Sequence, residues 1–137
     1  MAGYSGTPLI QKLGIKPNDK IKIIGAPEGY WDWVSPLPEG ISTSGTMNFN
    51  FIHLFVQKRK AFKRELLTLQ KKMDQCGMIW VSWPKKSAKM DSDLDENIIR
   101  DFALKNKLVD VKVCAVNDVW SGLKLVIPVK LRKLSDV

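Results

Sequence analysis

A hydroxyl, an indole and two ammonium groups stand close together in Ser82-Trp83-Pro84-Lys85-Lys86. Lysine is a flexible point charge that suits phosphate or carboxylate, and an indole face stacks on a base or another flat ring. This run therefore has the makings of an anion or nucleotide contact. Asp118, Trp120 and Ser121 offer a second set of polar and aromatic anchors, and Glu28, Tyr30 and Trp31 a third. Glu28 and Tyr30 carry groups able to act as acid or base. General catalysis needs a partner within hydrogen-bond reach, which no spacing here supplies, so no catalytic residue is assigned. The single histidine, His53, lies in the apolar run Phe51-Ile52-His53-Leu54-Phe55-Val56 and reads as a satisfied core residue. Cys76 and Cys114 form neither a disulfide framework nor a metal-ligand spacing. No metal and no cofactor is assigned.

The 137 residues carry 22 Lys and Arg against 14 Asp and Glu, with 45% apolar residues. A chain of this size buries roughly two-thirds of the surface exposed on unfolding, enough for a core without disulfides or a structural metal. Residues 1–137 are expected to form a single domain. The net charge of +8 steers the molecule towards anions. A small anionic ligand is the expected partner in preference to nucleic acid, and the oligomeric state is left open. Apolar runs are strand-sized, well short of the ~20 residues of a membrane span. Residues 1–15 lack the basic flank and apolar run of a secretory signal. The expected location is cytoplasmic, without a membrane segment.

The elements that must position these groups can be read from period and punctuation. Thr7 and Pro8 open a short helix bearing Leu9, Ile10 and Leu13, closed by Gly14. Lys20-Ile21-Lys22-Ile23-Ile24 is a strand ending in the loop Gly25-Ala26-Pro27-Glu28-Gly29. A helical turn near 30–34 and a short strand near 40–43 are expected next. Asn50 to Val56 reads as a buried strand. Phe62, Leu66, Leu69 and Met73 make one stripe of a helix over 58–75, which Cys76-Gly77 ends. Met78 to Trp83 is strand-like. Ser92 or Asp93 caps a second helix with Leu94, Ile98, Ile99 and Phe102 on one face. Val109 to Val116 and Leu123 to Val129 form a hairpin, with Val119-Trp120-Ser121-Gly122 in its loop.

This order predicts an α/β fold: a three-layer, Rossmann-like, mostly parallel sheet with a C-terminal antiparallel hairpin. Two crossovers through full helices require parallel pairing. Ligands of open parallel sheets bind beyond the carboxyl ends of the strands, which selects the loops named at the outset. Trp31, Trp33, Trp83 and Trp120 lie in or beside them and are expected to gather at one rim, as a small local core or as the walls of a pocket.

Several long segments carry a resemblance. Met1-Ala2-Gly3-Tyr4-Ser5-Gly6-Thr7-Pro8-Leu9, Leu13-Gly14-Ile15-Lys16-Pro17, Gly25-Ala26-Pro27-Glu28-Gly29-Tyr30, Trp80-Val81-Ser82-Trp83-Pro84-Lys85-Lys86 and Val113-Cys114-Ala115-Val116-Asn117-Asp118-Val119-Trp120-Ser121-Gly122-Leu123-Lys124 resemble the small bacterial proteins grouped as domain of unknown function 3052. That resemblance implies no activity. The element order is also similar to class I methyltransferases, in which a first-strand Gly loop cradles S-adenosylmethionine and the sheet ends in a reversed hairpin. The chain departs from that pattern: Pro27 removes a backbone donor, and no strand-ending carboxylate stands ready for ribose hydroxyls. Residues 30–48 are also too few for the usual pair of βα units. The leading expectation is a non-catalytic binding domain for a small anionic or nucleotide-like ligand, contacted by Glu28, Tyr30, Trp31, Ser82, Trp83, Lys85, Lys86, Asp118, Trp120 and Ser121. The alternatives are a reduced S-adenosylmethionine-dependent methyltransferase and an RNA-binding or interaction module using the basic helix 58–72.

Overall fold

The computed structural model describes residues 8–133. Thr7, expected as the first helix cap, lies outside the described residues, as does the stretch before it. Helix α1 (Leu9–Leu13) leads to strand β1 (Ile21–Ile24), the one-turn helix α2 (Tyr30–Trp33), β2 (Phe49–Phe55), α3 (Arg59–Gln70), β3 (Met73–Pro84), α4 (Glu96–Lys105), β4 (Val109–Ala115) and β5 (Trp120–Val126).

The five strands are ordered β1-β2-β3-β5-β4. β1, β2 and β3 run parallel, and β5 inserts antiparallel between β3 and β4. Period-2 alternation along apolar strands sends successive side chains to opposite faces, and both faces are covered. Ile52, Leu54, Ile79, Val81, Leu123 and Leu125 meet Phe62, Leu66 and Leu69 of α3 and Ile99 and Ala103 of α4. On the other face Phe51, Phe55, Trp80 and Trp120 pack with Leu13 of α1 and Tyr30 of α2. The result is the mostly parallel three-layer α/β sheet with a reversed C-terminal hairpin that the element order predicts.

Four local expectations are corrected. The helix expected over 58–75 stops at Gln70, and Met73, Cys76 and Gly77 belong to β3. Met73 continues the helical stripe only because the first inward residue of a strand is also apolar. Phe49 pairs with Met73 and Phe51 with Met78, so β3 bulges over the residues between. A Cβ on Gly77 would stand 2.7 Å from the Phe49 carbonyl oxygen, which is why glycine sits at this close approach.

The second helix begins at Glu96, capped by Asp95, whose Oδ1 accepts the Ile98 N–H at 2.9 Å. Asp93, expected to cap this helix, instead accepts the Arg59 N–H at the start of α3, at 2.7 Å. The hairpin turn is shorter than expected, so Trp120, Ser121 and Gly122 lie within β5. Asn117 closes it, its Oδ1 accepting the N–H groups of Val119 and Trp120 at 2.9 Å each. The strand expected near 40–43 is reduced to one parallel bridge between Lys20 and Ser42. Beyond that bridge the outer edge of β1 has no strand beside it among the described residues.

Candidate functional site

The turn after β1 is built on two left-handed glycines, Gly25 at φ 69° and Gly29 at φ 91°. A Cβ on Gly25 would meet the Phe55 carbonyl oxygen at 2.8 Å, so this turn lies directly against the end of β2. α2 then drops Tyr30 into the core, only 1% exposed. Its hydroxyl lies 2.9 Å from His53 Nδ1, and His53 Nε2 lies 2.8 Å from Ser82 Oγ. Phe55 stacks on His53 with centroids 4.3 Å apart and meets Tyr30 edge-on at 5.6 Å and Trp120 edge-on at 5.1 Å. The crevice over the ends of β1, β2 and β3, where such sheets take their ligands, is thus filled by the protein's own rings.

Electrostatics follow from that burial. Removal from water lowers the His53 imidazole to a pKa of about 3 and pushes the Tyr30 phenol above its ordinary range. A neutral imidazole donates from one nitrogen and accepts at the other, so Tyr30, His53 and Ser82 form one line in which every buried polar atom has a partner. A serine beside a histidine has the geometry of an activated nucleophile. Ser82 is wholly buried, however, and no substrate reaches its oxygen.

The structure distributes the residues named from sequence. Ser82 and Tyr30 meet in the His53 line. Trp120 is buried above Phe55 on the same face. Trp83 belongs to the opposite core, with Leu94 and α3, because neighbouring residues of a strand alternate faces. The four tryptophans therefore do not gather at one rim. Lys85 and Val119 are joined by a backbone bond of 2.8 Å, which brings the β3 end to the hairpin turn. Lys86, Glu28 and Asp118 are exposed, and Ser121 is half-buried in β5.

Two surface grooves remain near these loops. One, of about 230 Å³, is lined by Leu9, Trp33, Val116 and Asn117. The other, of about 270 Å³, runs along the open edge of β1 and is lined by Ile21, Lys22, Ile23, Ala26, Trp31 and Thr43. Trp31, 44% exposed, is the one sequence-nominated residue in this second groove. Lys22 and Thr43 escaped the sequence reading. Lys22 sits inside a strand, and Thr43 reaches β1 only through the single bridge at Ser42, which no local pattern encodes. At the basic start of α3, Lys58 pairs with Asp91 at 2.7 Å and Arg59 Nε donates to the Asp93 carbonyl at 3.1 Å.

Comparison with known proteins adds the fold class. No protein-family profile matches the chain, and no curated protein sequence does. Solved structures do match. A SAM dependent methyltransferase from Aquifex aeolicus aligns over 87% of each chain with a TM-score of 0.57 and 10% identity. A TehB-like SAM-dependent methyltransferase from Corynebacterium glutamicum covers 87% of this chain and 85% of its own, with a TM-score of 0.56 and 8% identity. A magnesium protoporphyrin IX methyltransferase from Synechocystis, solved with bound SAH, covers 86% and 77%, with a TM-score of 0.56 and 10% identity. The chain has the Rossmann-like fold that these methyltransferases share.

The residues present do not fit a whole S-adenosylmethionine. Ligand pockets usually span about 300–1,000 Å³, and both grooves are smaller. Neither is lined by a carboxylate that would take ribose hydroxyls. Pro27 also withholds one N–H from the first βα turn. The β1 groove is lined by one indole, that of Trp31, and by one lysine, Lys22.

Proposed function

We propose that this chain is a binding domain on a methyltransferase-like scaffold, and that it takes a small, flat, anionic ligand of nucleotide type in the groove beside β1. The observation that carries this reading is the lining of that groove by the half-exposed indole of Trp31, next to the double-glycine turn, together with Lys22, whose ammonium rests 5.6 Å from the Phe49 ring centroid. An indole gives a ring a stacking surface, and a lysine gives a phosphate its counter-charge. The aromatic filling of the crevice supports binding in preference to methyl transfer.

Titration with adenosine monophosphate and with S-adenosylhomocysteine, followed by tryptophan fluorescence and thermal shift, tests it. Trp31→Ala and Lys22→Ala are each expected to weaken adenosine monophosphate binding about tenfold or more while leaving the unliganded melting temperature in place. Unchanged affinity in both variants overturns the site. The fold shared with methyltransferases, one of them solved with bound SAH, supports a second reading as a reduced S-adenosylmethionine-dependent methyltransferase. Binding of S-adenosylhomocysteine alone, with adenosine monophosphate excluded, favours that second reading. Membership of the domain of unknown function 3052 group, which no family profile supports, is compatible with either reading and adds no chemistry to it.

A further inference from the structure

We propose that Lys16, Lys112 and Lys124 form a binding site for phosphate oxyanions on the α1 face of the sheet, distinct from the β1 groove. Lys112 of β4 lies directly opposite Lys124 of β5 in the antiparallel ladder. Like charges directly opposed across strands destabilise a sheet, so the fold carries a repulsion here that an anion removes. Lys124 in turn pairs with Trp80 of β3, whose indole N–H donates to the Leu13 carbonyl at 2.8 Å. That contact fixes α1 above this part of the sheet. The Lys112 ammonium donates to the Lys12 carbonyl at 3.1 Å, in the last turn of α1. Lys16 follows just after the Gly14 cap, and Lys112 and Lys16 both act electrostatically on Lys124.

Two carboxylates close by in the chain, Asp110 and Asp19, are engaged with other partners. Asp110 pairs with Leu125 and Lys112 with Lys124, and the irregularity between them places Asp110 and Lys112 on opposite faces. Asp110 is held on the α4 side by Arg100, 2.9 Å away. Asp19 spends Oδ2 on the backbone N–H of Lys16, at 2.9 Å. Among the described residues no ion pair joins a carboxylate to Lys16, Lys112 or Lys124. Half-burial of Lys124, and then the charges of Lys112 and Lys16, hold its pKa below the usual lysine range. A compact oxyanion with several acceptor oxygens and more than one negative charge suits three mobile ammonium groups better than a single carboxylate does.

The full chain is titrated with inorganic tripolyphosphate by calorimetry and with a short labelled single-stranded RNA by anisotropy, both at low salt. Lys112→Glu/Lys124→Glu is expected to weaken binding more than tenfold, whereas Lys60→Glu/Lys63→Glu on α3, an equal change of net charge, has less than a threefold effect. Loss with tripolyphosphate alone identifies free phosphate compounds as the source, loss with RNA alone identifies a phosphodiester chain, and both outcomes support the site. Lys124→Gln keeps the fold testable, because it removes a repulsion. It is expected to melt no lower than the parent and to lose the stabilisation by tripolyphosphate seen in the parent. Failure of the parent to bind either probe, or equal losses in the two double variants, overturns the proposal. Either result leaves the Trp31 groove untouched, since no residue is common to both sites.

Discussion

The hydroxyl of Tyr30 and Nδ1 of His53 stand 2.9 Å apart inside the core, joining the one-turn helix after β1 to the centre of the parallel sheet. Ser82 completes the line from β3 at 2.8 Å. Each buried polar atom in it has a partner, and it holds three elements in register at the place where this fold otherwise opens.

Tyr30→Phe leaves a buried imidazole nitrogen without its partner. A loss of about 1–3 kcal/mol in unfolding free energy is expected from urea denaturation. Ser82→Ala is expected to do the same through Nε2. The double variant Tyr30→Phe/His53→Phe should lose less than the sum of its single changes, because each removes the partner that the other strands.

Acid should destabilise the protein through His53. Its folded pKa of about 3 lies below the ordinary value of 6.5, so between those values the unfolded chain binds a proton that the folded chain does not. Stability therefore rises with pH across that window, by up to about 1.4 kcal/mol per pH unit, and this contribution levels off above it. Urea midpoints at several pH values between 4 and 8 check the slope. His53→Phe should lower the slope relative to the parent, and an unchanged slope contradicts the assignment.

Gly25→Ala places a methyl against the Phe55 carbonyl at a left-handed φ. A cost of about 1–3 kcal/mol is expected. The same change should weaken ligand binding at the β1 groove by displacing Ala26. Ser35→Ala, at an exposed position beyond α2, is the control and should leave stability within about 0.5 kcal/mol.

Asp95→Ala and Asp93→Ala should each cost about 1 kcal/mol, by thermal or urea unfolding, for different reasons. Asp95 caps its own helix, whereas Asp93 accepts the Arg59 N–H at the start of the helix before it. Asp93→Ala should therefore raise hydrogen exchange at the first turn of α3 and leave α4 protected.

Much of the architecture was legible because period and punctuation agree. β-branched runs gave the strands, the Phe62-Leu66-Leu69 stripe gave α3, and the helical crossovers required parallel pairing. The boundary after Gln70 was not legible, because Met73 satisfies the helical stripe and the strand pairing with Phe49 alike. The site was harder. Strand alternation sends Trp83 to the opposite core from Trp120, and one residue of register decides that outcome. Sequence placed Trp31 near the β1 turn, but its groove partners Lys22 and Thr43 come together only through the isolated Lys20–Ser42 bridge. The two lysines that oppose each other across β4 and β5 owe their shared face to an irregularity between Asp110 and Lys112, which no residue type announces.

The spatial order of the last two strands has a consequence for synthesis. β4 leaves the ribosome before β5, yet among the described strands β5 is the only one beside it. A nascent chain that has reached β4 alone has no strand to pair it with until β5 is made. Release of the chain before Trp120 would strand an unpaired ribbon rich in valine.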